Sequence, residues 1–420
     1  MKSIKISSAI SLLILLSVSF TSCEHEHIFT LENINLEKKV SDGVEIIVEP
    51  DDGITSVNSL TKAVEENGDG TYVLRRDGIY YMEGQNVFKN NIIVKAENGT
   101  GNLPQIQPIC DEQGKTPTYI MELEGNAFFE NIFFLGKDAA TGNLISRAFR
   151  LQAAGLTLEL NHCFLESSTS CVVRCDDANN KISFKNCTLR NVSNATSPSN
   201  GRLIDTRGHE QERIVFHNNY IYNVTGHILR LDNSCTKYFE LSNNTFWNQA
   251  HCLVLDYLQE LVIENNIFAN YGWKSSESTM WDVLLQSRDE RSKIAKITIR
   301  NNNFFDSSEL TNLYEKYPEN KKTTWMSEDA IQMEKEGRFI YENNFTEVLS
   351  FDYAPKLPIA YMEYFFIHKN EGISKCTDPF DIDEDGKDGI INGETFTFNY
   401  SPSSKSATAS TTGGPIGAHF

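Results

Sequence analysis

The chain has 420 residues, and its 38 Lys and Arg against 57 Asp and Glu give a formal net charge of −19. This length allows one large domain or two ordinary ones with a substantial core. The hydrophobic fraction of 40% and the charged fraction of 23% are typical of a globular protein, which argues against a fibrous or wholly disordered chain. The excess of acids argues against nucleic acid as a partner, because polyphosphates are attracted to basic surfaces.

Residues 1–22 have the pattern of a secretory signal peptide. Lys2 and Lys5 precede an apolar run over residues 9–20, which is too short to span a bilayer. The ending Thr21-Ser22-Cys23 resembles the bacterial lipoprotein box, and this resemblance implies lipidation of Cys23 as the first mature residue. An ordinary signal peptide with an incidental cysteine is the alternative.

Residues 23–54 are predicted to form a tether and lead-in. The acidic residues just after Cys23 resemble the surface-export signal of outer-membrane lipoproteins. We therefore expect a monomer that is lipid-anchored at the bacterial outer membrane, on the cell surface. The eight remaining cysteines permit disulfides in such a compartment, but their spacing does not define a connectivity.

One short pattern, apolar-x-apolar-polar-Asn-Asn-x-apolar, recurs along the chain. Clear copies occupy residues 214–221, 239–246, 261–268 and 297–304. With weaker copies included, the second polar position falls at residues 131, 162, 187, 219, 244, 266, 302 and 344, so successive copies are 22 to 42 residues apart. This spacing is typical of stacked coils in a solenoid, and the period-two alternation indicates strands. We assign the Asn residues a structural role at turns, where they tolerate left-handed backbone geometry and can hydrogen-bond from coil to coil.

Segments between residues 55 and 107 resemble the first part of the pectate-lyase-like superfamily. The segments that carry this resemblance are Leu60–Val64, Gly68–Leu74, Gly78–Tyr81, Asn91–Ala96 and Pro104–Ile106. The segment Ala127–Phe134 resembles its first full coil, and Gly413–Ala418 is similar to the endings of surface lipoproteins from glycan-degrading bacteria. The resemblance implies an all-β, right-handed, single-stranded parallel β-helix over residues 55–400, and more distantly a likeness to chondroitinase-B and alginate lyases. It is specific for the fold and weak for the activity, because the same coil carries lyases, hydrolases, esterases and inert adhesins.

A second strand in each coil can be aligned by placing Gly226–Asp232 over Ala250–Asp256. This register predicts one column of Arg150, Arg174, Asp205, Arg230 and Val254, and a second of Gln152, Asp176, Arg207, Asp232 and Asp256. Two interpretations stay open. The charges neutralise each other as a ladder that adds little stability, or the face is a groove that binds an acidic, hydroxyl-rich glycan through its arginines and acids. The second interpretation makes the following residues substrate-binding: Arg150, Arg174, Asp176, Asp205, Arg207, Arg230, Asp232 and Asp256.

The resemblance also implies a possible uronate lyase, with Arg174, Arg207 or Arg230 as the candidate catalytic cations. A clear Lys base and a calcium-binding cluster of acids are missing from the pattern. A polygalacturonase-like hydrolase is a poorer match, because Gly208-His209-Glu210 departs from its Gly-His-Gly element. A non-catalytic glycan-binding or adhesin-like β-helix is the alternative to a lyase.

Two insertions, a calcium-like loop and a tail complete the chain. The insertion at 306–336 is predicted to contain two short helices that begin near Ser308 and Ser327, and the aromatic residues of the insertion at 346–380 are predicted to pack on the β-helix. Asp381, Asp383 and Asp385 match the first half of a calcium loop whose second half departs from the pattern, so calcium is a candidate cofactor. Residues 401–420 are expected to lie loosely over the last coil.

Overall fold

The computed structural model describes residues 45–194, 200–231, 234–251, 253, 258–274, 295–321, 328–368 and 396–420. These residues belong to one unit, Gly43–Phe420. Several predicted residues lie outside the described ranges. They are the lipidation site Cys23, the last member of the first charged column, Val254, and two members of the second column, Asp232 and Asp256. The predicted calcium ligands Asp381, Asp383 and Asp385 also lie outside these ranges.

Short strands make up most of the regular secondary structure, and they form three sheets. The first sheet has eleven strands: Ile46–Val48, Gly70–Leu74, Ile92–Ala96, Ala127–Glu130, Thr157–Asn161, Lys181–Lys185, Gln211–His217, Thr236–Ser242, Leu258–Glu264, Lys296–Arg300 and Phe339–Glu342. The second sheet has nine strands: Ile79–Glu83, Gln105–Ile109, Phe133–Leu135, Phe164–Ser168, Thr188–Val192, Tyr220–Val224, Thr245–Gln249, Ile267–Ala269 and Asn303–Phe305. The third sheet has six strands: Val87–Phe88, Tyr119–Leu123, Arg147–Leu151, Cys171–Cys175, Arg202–Asp205 and Leu229–Arg230.

The chain visits the sheets in turn, so each strand pairs with the equivalent strand one coil away. All of these strand pairs are parallel. The predicted all-β parallel β-helix is confirmed. A central coil contains three strands rather than the two that the sequence indicated, because the chain re-enters a sheet immediately after each Asn turn.

Aromatic rings stack inside the coils along the solenoid. Phe246 and Phe304 lie on either side of Phe268, with ring centroids 4.7 and 4.9 Å from it and interplanar angles of 2° and 11°. Phe184 and Phe216 form a similar pair, 4.9 Å apart. Equivalent inward-facing positions of successive coils thus carry the same kind of side chain, and their rings form one stack on the second sheet and another on the first.

The turns between the first and second sheets have left-handed backbone geometry. One residue in each turn has a φ between 50° and 60°: Asn131, His162, Asn186, Asn218, Asn243, Asn265, Asn301 and Asn343. Asparagine tolerates this conformation better than most residues, which explains why it recurs there.

The second Asn of each pair forms a buried ladder along the solenoid. The Nδ2 atoms of Asn219, Asn244 and Asn266 each donate to the Oδ1 atom of the next Asn, at 2.9–3.0 Å. This structural role was predicted and is confirmed. The predicted register is wrong in two early coils, where residues 131 and 162 occupy the left-handed position and the ladder position is taken by Ile132 and Cys163.

A second series of left-handed asparagines lies within the second sheet. Asn191, Asn223, Asn248 and Asn270 have φ between 54° and 58°. The Nδ2 atom of Asn248 donates to the Oδ1 atom of Asn223 at 3.0 Å, and Asn223 donates to Asn191 at 3.1 Å. This ladder was not predicted, although each member stands five residues after a turn Asn in the sequence.

The first sheet begins earlier than predicted. Its first strand is Ile46–Val48, which pairs with Tyr72–Leu74 inside the segment expected to be a lead-in. Helix α1 (Ser59–Asn67) follows and buries Leu60 and Val64 in the core.

The insertions contain helices α2 (Ser308–Lys316), α3 (Glu328–Lys335) and α4 (Ile359–His368), with a 3-10 turn at Pro318–Asn320. The predicted helices are confirmed, but the N-cap of α2 is Ser307, whose hydroxyl accepts from Leu310 N. None of the described helices is long and apolar enough to cross a membrane.

The aromatic side chains of α4 pack on the β-helix, as predicted. Tyr361, Phe365 and Phe366 are buried around Trp273, with ring centroids 5.7–6.4 Å from its ring. Tyr353, which lies before α4, is 47% exposed. Tyr361, Phe365 and Phe366, in the described part of the insertion, therefore contribute to packing rather than to an open groove.

The C-terminal tail is an ordered strap across several coils, with a 3-10 turn at Lys405–Thr408. Gly417 N donates to Asn265 O at 2.8 Å, Ala418 N to Thr245 Oγ1 at 3.0 Å, and His419 N to Asn218 Oδ1 at 2.8 Å. The expectation of a loose tail on the last coil is wrong, because turn asparagines and Thr245 supply hydrogen-bond partners in several coils.

The described cysteines are Cys110, Cys163, Cys171, Cys175, Cys187 and Cys235, and no disulfide joins any two of Cys110, Cys163, Cys171, Cys175 and Cys187. Five of the six described cysteines are buried. Buried thiols behave as small apolar side chains in this core.

Candidate functional site

The first charged column exists in the register predicted from the sequence. In the third sheet Arg150 lies opposite Arg174, Arg174 opposite Asp205, and Asp205 opposite Arg230. The column continues in the other direction to Glu122, which lies opposite Arg150 and was not predicted. Neighbouring members are separated by one strand spacing, about 4.8 Å.

Strand alternation positions these side chains. Phe149 and Leu151 point into the core and are fully buried, so Arg150 between them points outward. The residues that directly follow Arg174, Asp205 and Arg230 in the sequence also point into the core and are buried: Cys175, Thr206 and Leu231. The face is less open than expected, because Asp205 and Glu122 are each 3% exposed.

Ion pairs connect the first half of the column. Arg150 donates from Nη1 to Glu122 Oε2 at 2.9 Å and from Nε to Asp176. Arg174 donates from Nε to the other oxygen of Asp176, at 2.5 Å. Asp176, a member of the second predicted column, therefore holds two guanidinium groups in place.

A second group of charges surrounds Asp205. Arg202 donates from Nη1 to Asp205 Oδ2 at 2.7 Å, and Arg230 Nη1 lies 4.0 Å from the same oxygen. Arg207 does not continue the second column, because it lies in a turn with φ 54° and is exposed. Within the described residues its side chain makes no ion pair.

Two further residues of this face were missed. The guanidinium carbons of Arg147 and Arg150 both lie 5.4 Å from the ring centroid of Tyr119. Arg147 makes no ion pair with any described residue, and its Nε is buried without a hydrogen-bond partner there. No sequence signal indicated them, since Tyr119 and Arg147 stand three residues before Glu122 and Arg150 on paired strands, and strand alternation would place them on the opposite face.

A polar cleft opens at this end of the column. Its volume is about 290 Å³, and Tyr119, Glu122 and Arg150 line one side of it. Lys115 and Thr118 contribute to the other side. The cleft places hydroxyl, ammonium and carboxylate groups beside Arg150. Such a mixture suits a hydroxyl-rich ligand.

Positive charge predominates on this face within the described part of the chain. Five arginines, Arg147, Arg150, Arg174, Arg202 and Arg230, stand against three acids, Glu122, Asp176 and Asp205. The complete chain carries a net charge of −19, so this face runs against the overall charge. Such a local reversal attracts anions.

The ionisation of the neighbouring groups follows from burial and charge. Burial opposes ionisation of Asp176, but hydrogen bonds from Arg174 and Arg150 outweigh it and hold its pKa below the usual range. Burial raises the pKa of Cys171 to about 12, and burial also raises the pKa of Cys175. Both thiols remain protonated at neutral pH, so neither supplies a nucleophilic thiolate.

The described residues contain no cluster of three His, Cys, Asp or Glu side chains able to hold a metal ion.

Replacing Asp176 with Asn is expected to lower the free energy of unfolding at neutral pH by about 1–3 kcal/mol, because two guanidinium groups lose a charged acceptor. The folded pKa of Asp176 is depressed, so its contribution is present above the unfolded pKa and is lost as the pH falls through the folded value. Urea unfolding at neutral pH and at about pH 3 should show the gap between wild type and Asp176→Asn narrowing in acid. The exposed Asp352→Asn is the matched control, and a gap equal at both pH values would contradict the assignment.

Comparisons with known proteins add little beyond the fold. No family model matches the chain, and no curated protein matches it. Solved structures similar to it include the pectin methylesterase from Aspergillus niger in deglycosylated form, at 9% identity and a TM-score of 0.30, over 64% of this chain and 87% of that one. The assignment to the parallel β-helix fold rests on the three sheets described above.

Proposed function

We propose that this protein binds an acidic, uronate-containing polysaccharide along the outer face of its third sheet. The observation that carries the proposal is Arg147, a cation on a charged face that has no acidic partner among the described residues. A carboxylate that reached Arg147 would form a charge-assisted, bidentate hydrogen bond.

The ion pairs around Asp176 support the same function. Asp176 and Glu122 restrain Arg150 and Arg174 before any ligand arrives. Pre-organised guanidinium groups lose less side-chain entropy on binding, so less of the interaction energy is spent on ordering them. A purely structural ladder would balance its charges, whereas this face has more arginines than acids.

Tyr119 adds a surface for the sugar ring. It lies on the wall of the cleft, next to Arg150, and is half-buried. An aromatic ring packs well against the C–H face of a sugar, while its hydroxyl hydrogen-bonds to a polar group. One sugar unit in the cleft would thus meet an aromatic ring and the guanidinium of Arg150.

Affinity electrophoresis in gels that contain polygalacturonate tests this proposal. We expect retardation of the wild-type protein, no retardation by neutral dextran, and binding about tenfold weaker for Arg147→Ala, because one charge-assisted pair is lost. Added salt should weaken the interaction.

Arg338→Ala is the matched control for that experiment. Arg338 is a partly exposed arginine that pairs with Glu336, beside the last strand of the first sheet. Its replacement changes the net charge by the same amount and should leave retardation unchanged. Equal weakening in both variants would show that the effect is one of net charge and would refute the third-sheet site.

β-Elimination of the uronate is a second candidate, favoured by the position of Tyr119 beside two guanidinium groups. In that reaction a base removes the C5 proton, the electron pair forms a C4–C5 double bond, the C4–O bond breaks, and the leaving oxygen takes up a proton. Tyr119 would accept the C5 proton and deliver a proton to the leaving oxygen, and Arg174 would neutralise the carboxylate, because the other predicted cation on this sheet, Arg230, lies four strands from Tyr119. A time-dependent rise in the ultraviolet absorbance of an unsaturated uronate would support lyase activity if Tyr119→Phe abolished it without loss of binding. A constant absorbance with retained binding would show that the protein binds the polysaccharide without cleaving it.

The cellular location and the calcium site belong to the same proposal, and both rest on residues outside the described ranges. A lipid on Cys23 would anchor the binding face at the bacterial surface, and Cys23→Ser should release the protein from membranes.

Calcium at Asp381, Asp383 and Asp385 would raise the melting temperature relative to protein treated with a chelator. An unchanged melting temperature would rule out a stabilising calcium ion.

A further inference from the structure

A second cleft lies on the outer face of the second sheet, and it shares no lining residue with the cleft beside Tyr119. Its volume is about 780 Å³, and its walls include residues from the strands Ile79–Glu83, Gln105–Ile109 and Phe133–Leu135. Sites that bind small molecules usually have volumes of about 300–1,000 Å³. The cleft therefore has room for several sugar units.

Two aromatic rings form one wall. Phe133 and Phe164 lie on paired strands, and their ring centroids are 5.2 Å apart with the rings nearly perpendicular. Both point away from the core, because their neighbours Phe134 and Leu165 are buried inside it. Both rings are only half-buried. The Arg190 guanidinium covers one face of Phe164, with its central carbon 4.5 Å from the ring centroid. The remaining surface of the two rings suits the C–H face of a sugar.

Two glutamines form a polar wall beside the rings. Gln105 lies opposite Phe133 in the sheet, and Gln107 follows on the same strand. Gln105 Nε2 donates to Gln107 Oε1 at 2.6 Å, and Gln107 Nε2 donates to Lys137 O at 2.8 Å. These bonds orient both amides at the edge of the cleft, where the Oε1 atom of Gln105 is available to accept a hydrogen bond from a hydroxyl group.

Asp138 supplies the observation that points to a ligand. Its side chain is 1% exposed and lines the cleft. Oδ1 accepts from the backbone N–H groups of Ala140 and Thr141, both at 2.9 Å. Oδ2 is buried and accepts no hydrogen bond within the described part of the chain. A buried carboxylate oxygen without a donor is costly, so this atom calls for a hydroxyl or N–H group from outside.

The lining has no excess of positive charge. Asp77 and Asp138 stand against Lys137 and Arg190, and Arg190 is already paired with the buried carboxylate of Glu166 at 2.6 Å, in contrast to the positive third-sheet face. Aromatic surface, oriented amides and the lack of excess positive charge together favour a neutral, hydroxyl-rich ligand over an anion. We propose that this cleft binds a neutral oligosaccharide, with a ring packed on Phe133 and Phe164 and a hydroxyl donating to Asp138 Oδ2.

Titration calorimetry of the full chain with cellotriose, maltotriose and galactotriose tests the proposal. Binding of at least one trisaccharide is expected, with affinity about tenfold lower in Phe133→Ala, because the stacking surface is removed. Phe133→Leu keeps apolar volume without a ring and should show a similar loss if Phe133→Ala folds poorly. Asp138→Asn keeps the Oδ1 acceptor and is expected to weaken binding about fivefold, because an amide N–H₂ replaces the acceptor that the hydroxyl needs.

Arg147→Ala separates this proposal from the proposed function. It should weaken polygalacturonate binding while leaving trisaccharide binding within about twofold of wild type. Trisaccharide binding without polygalacturonate binding would support the second cleft and refute the third-sheet function. The second-cleft proposal is overturned if none of the three sugars binds, if the Phe133 and Asp138 variants bind as wild type does, or if Arg147→Ala abolishes trisaccharide binding.

Discussion

Replacing Asn244 with alanine is expected to lower the free energy of unfolding by about 3 kcal/mol or more, because several buried hydrogen bonds lose a partner at once. Asn244 is fully buried. Its Nδ2 donates to Phe216 O at 2.8 Å and to Asn266 Oδ1 at 3.0 Å, and its Oδ1 accepts from Asn219 N at 3.0 Å and Asn219 Nδ2 at 2.9 Å. Alanine leaves the carbonyl of Phe216 and the backbone N–H of Asn219 buried without these partners.

Urea unfolding followed by circular dichroism measures this loss. Asn98 is an exposed residue of a surface bend, and Asn98→Ala is the matched control. It should change the free energy of unfolding by less than about 0.5 kcal/mol. If the two variants lost equal stability, the Asn ladder would not be a source of stability.

Replacing Phe268 with alanine should destabilise the protein by about 3–5 kcal/mol, because it removes the middle ring of a stack and leaves a cavity. The ring is 1% exposed and lies between Phe246 and Phe304. In a solenoid each coil contacts only its neighbours, so the damage is expected to be local.

Hydrogen exchange locates the damage that Phe268→Ala causes. Faster exchange is expected in the strands Thr245–Gln249, Ile267–Ala269 and Asn303–Phe305, with little change near Phe149. Phe268→Leu preserves apolar volume and should cost less than about 1.5 kcal/mol. Exchange that rises uniformly along the chain would contradict the nearest-neighbour picture.

The structural ladders have a consequence for the site. Arg150, Arg174 and Arg230 belong to different coils, and their separation is set by coil stacking rather than by contacts among themselves. The Asn turns and the aromatic core maintain that stacking. A rigid, regular spacing of charged side chains suits a ligand that itself repeats, such as a polysaccharide.

Much of this architecture was predictable from local sequence patterns. The recurring Asn-Asn pair indicated the coils, the turns and the ladder, because a left-handed turn favours Asn and a repeat must satisfy the same buried groups in every coil. Strand alternation also placed Arg150, Arg174, Asp205 and Arg230 in one column, since parallel pairing preserves register from coil to coil.

Other features depend on contacts between residues that are distant in sequence. Only the tertiary structure decided these contacts. Sequence alone did not indicate that Asp176 holds two arginines, that Arg147 has no acidic partner among the described residues, or that Asp138 presents a buried carboxylate oxygen to a cleft on the second sheet. The same holds for the strap that joins His419 to Asn218. Periodicity determined the fold of this protein, and its register outside the two early coils, because each repeat unit encodes its own strand and turn. Burial and the pairing of charges were decided by which coils and loops come together in space.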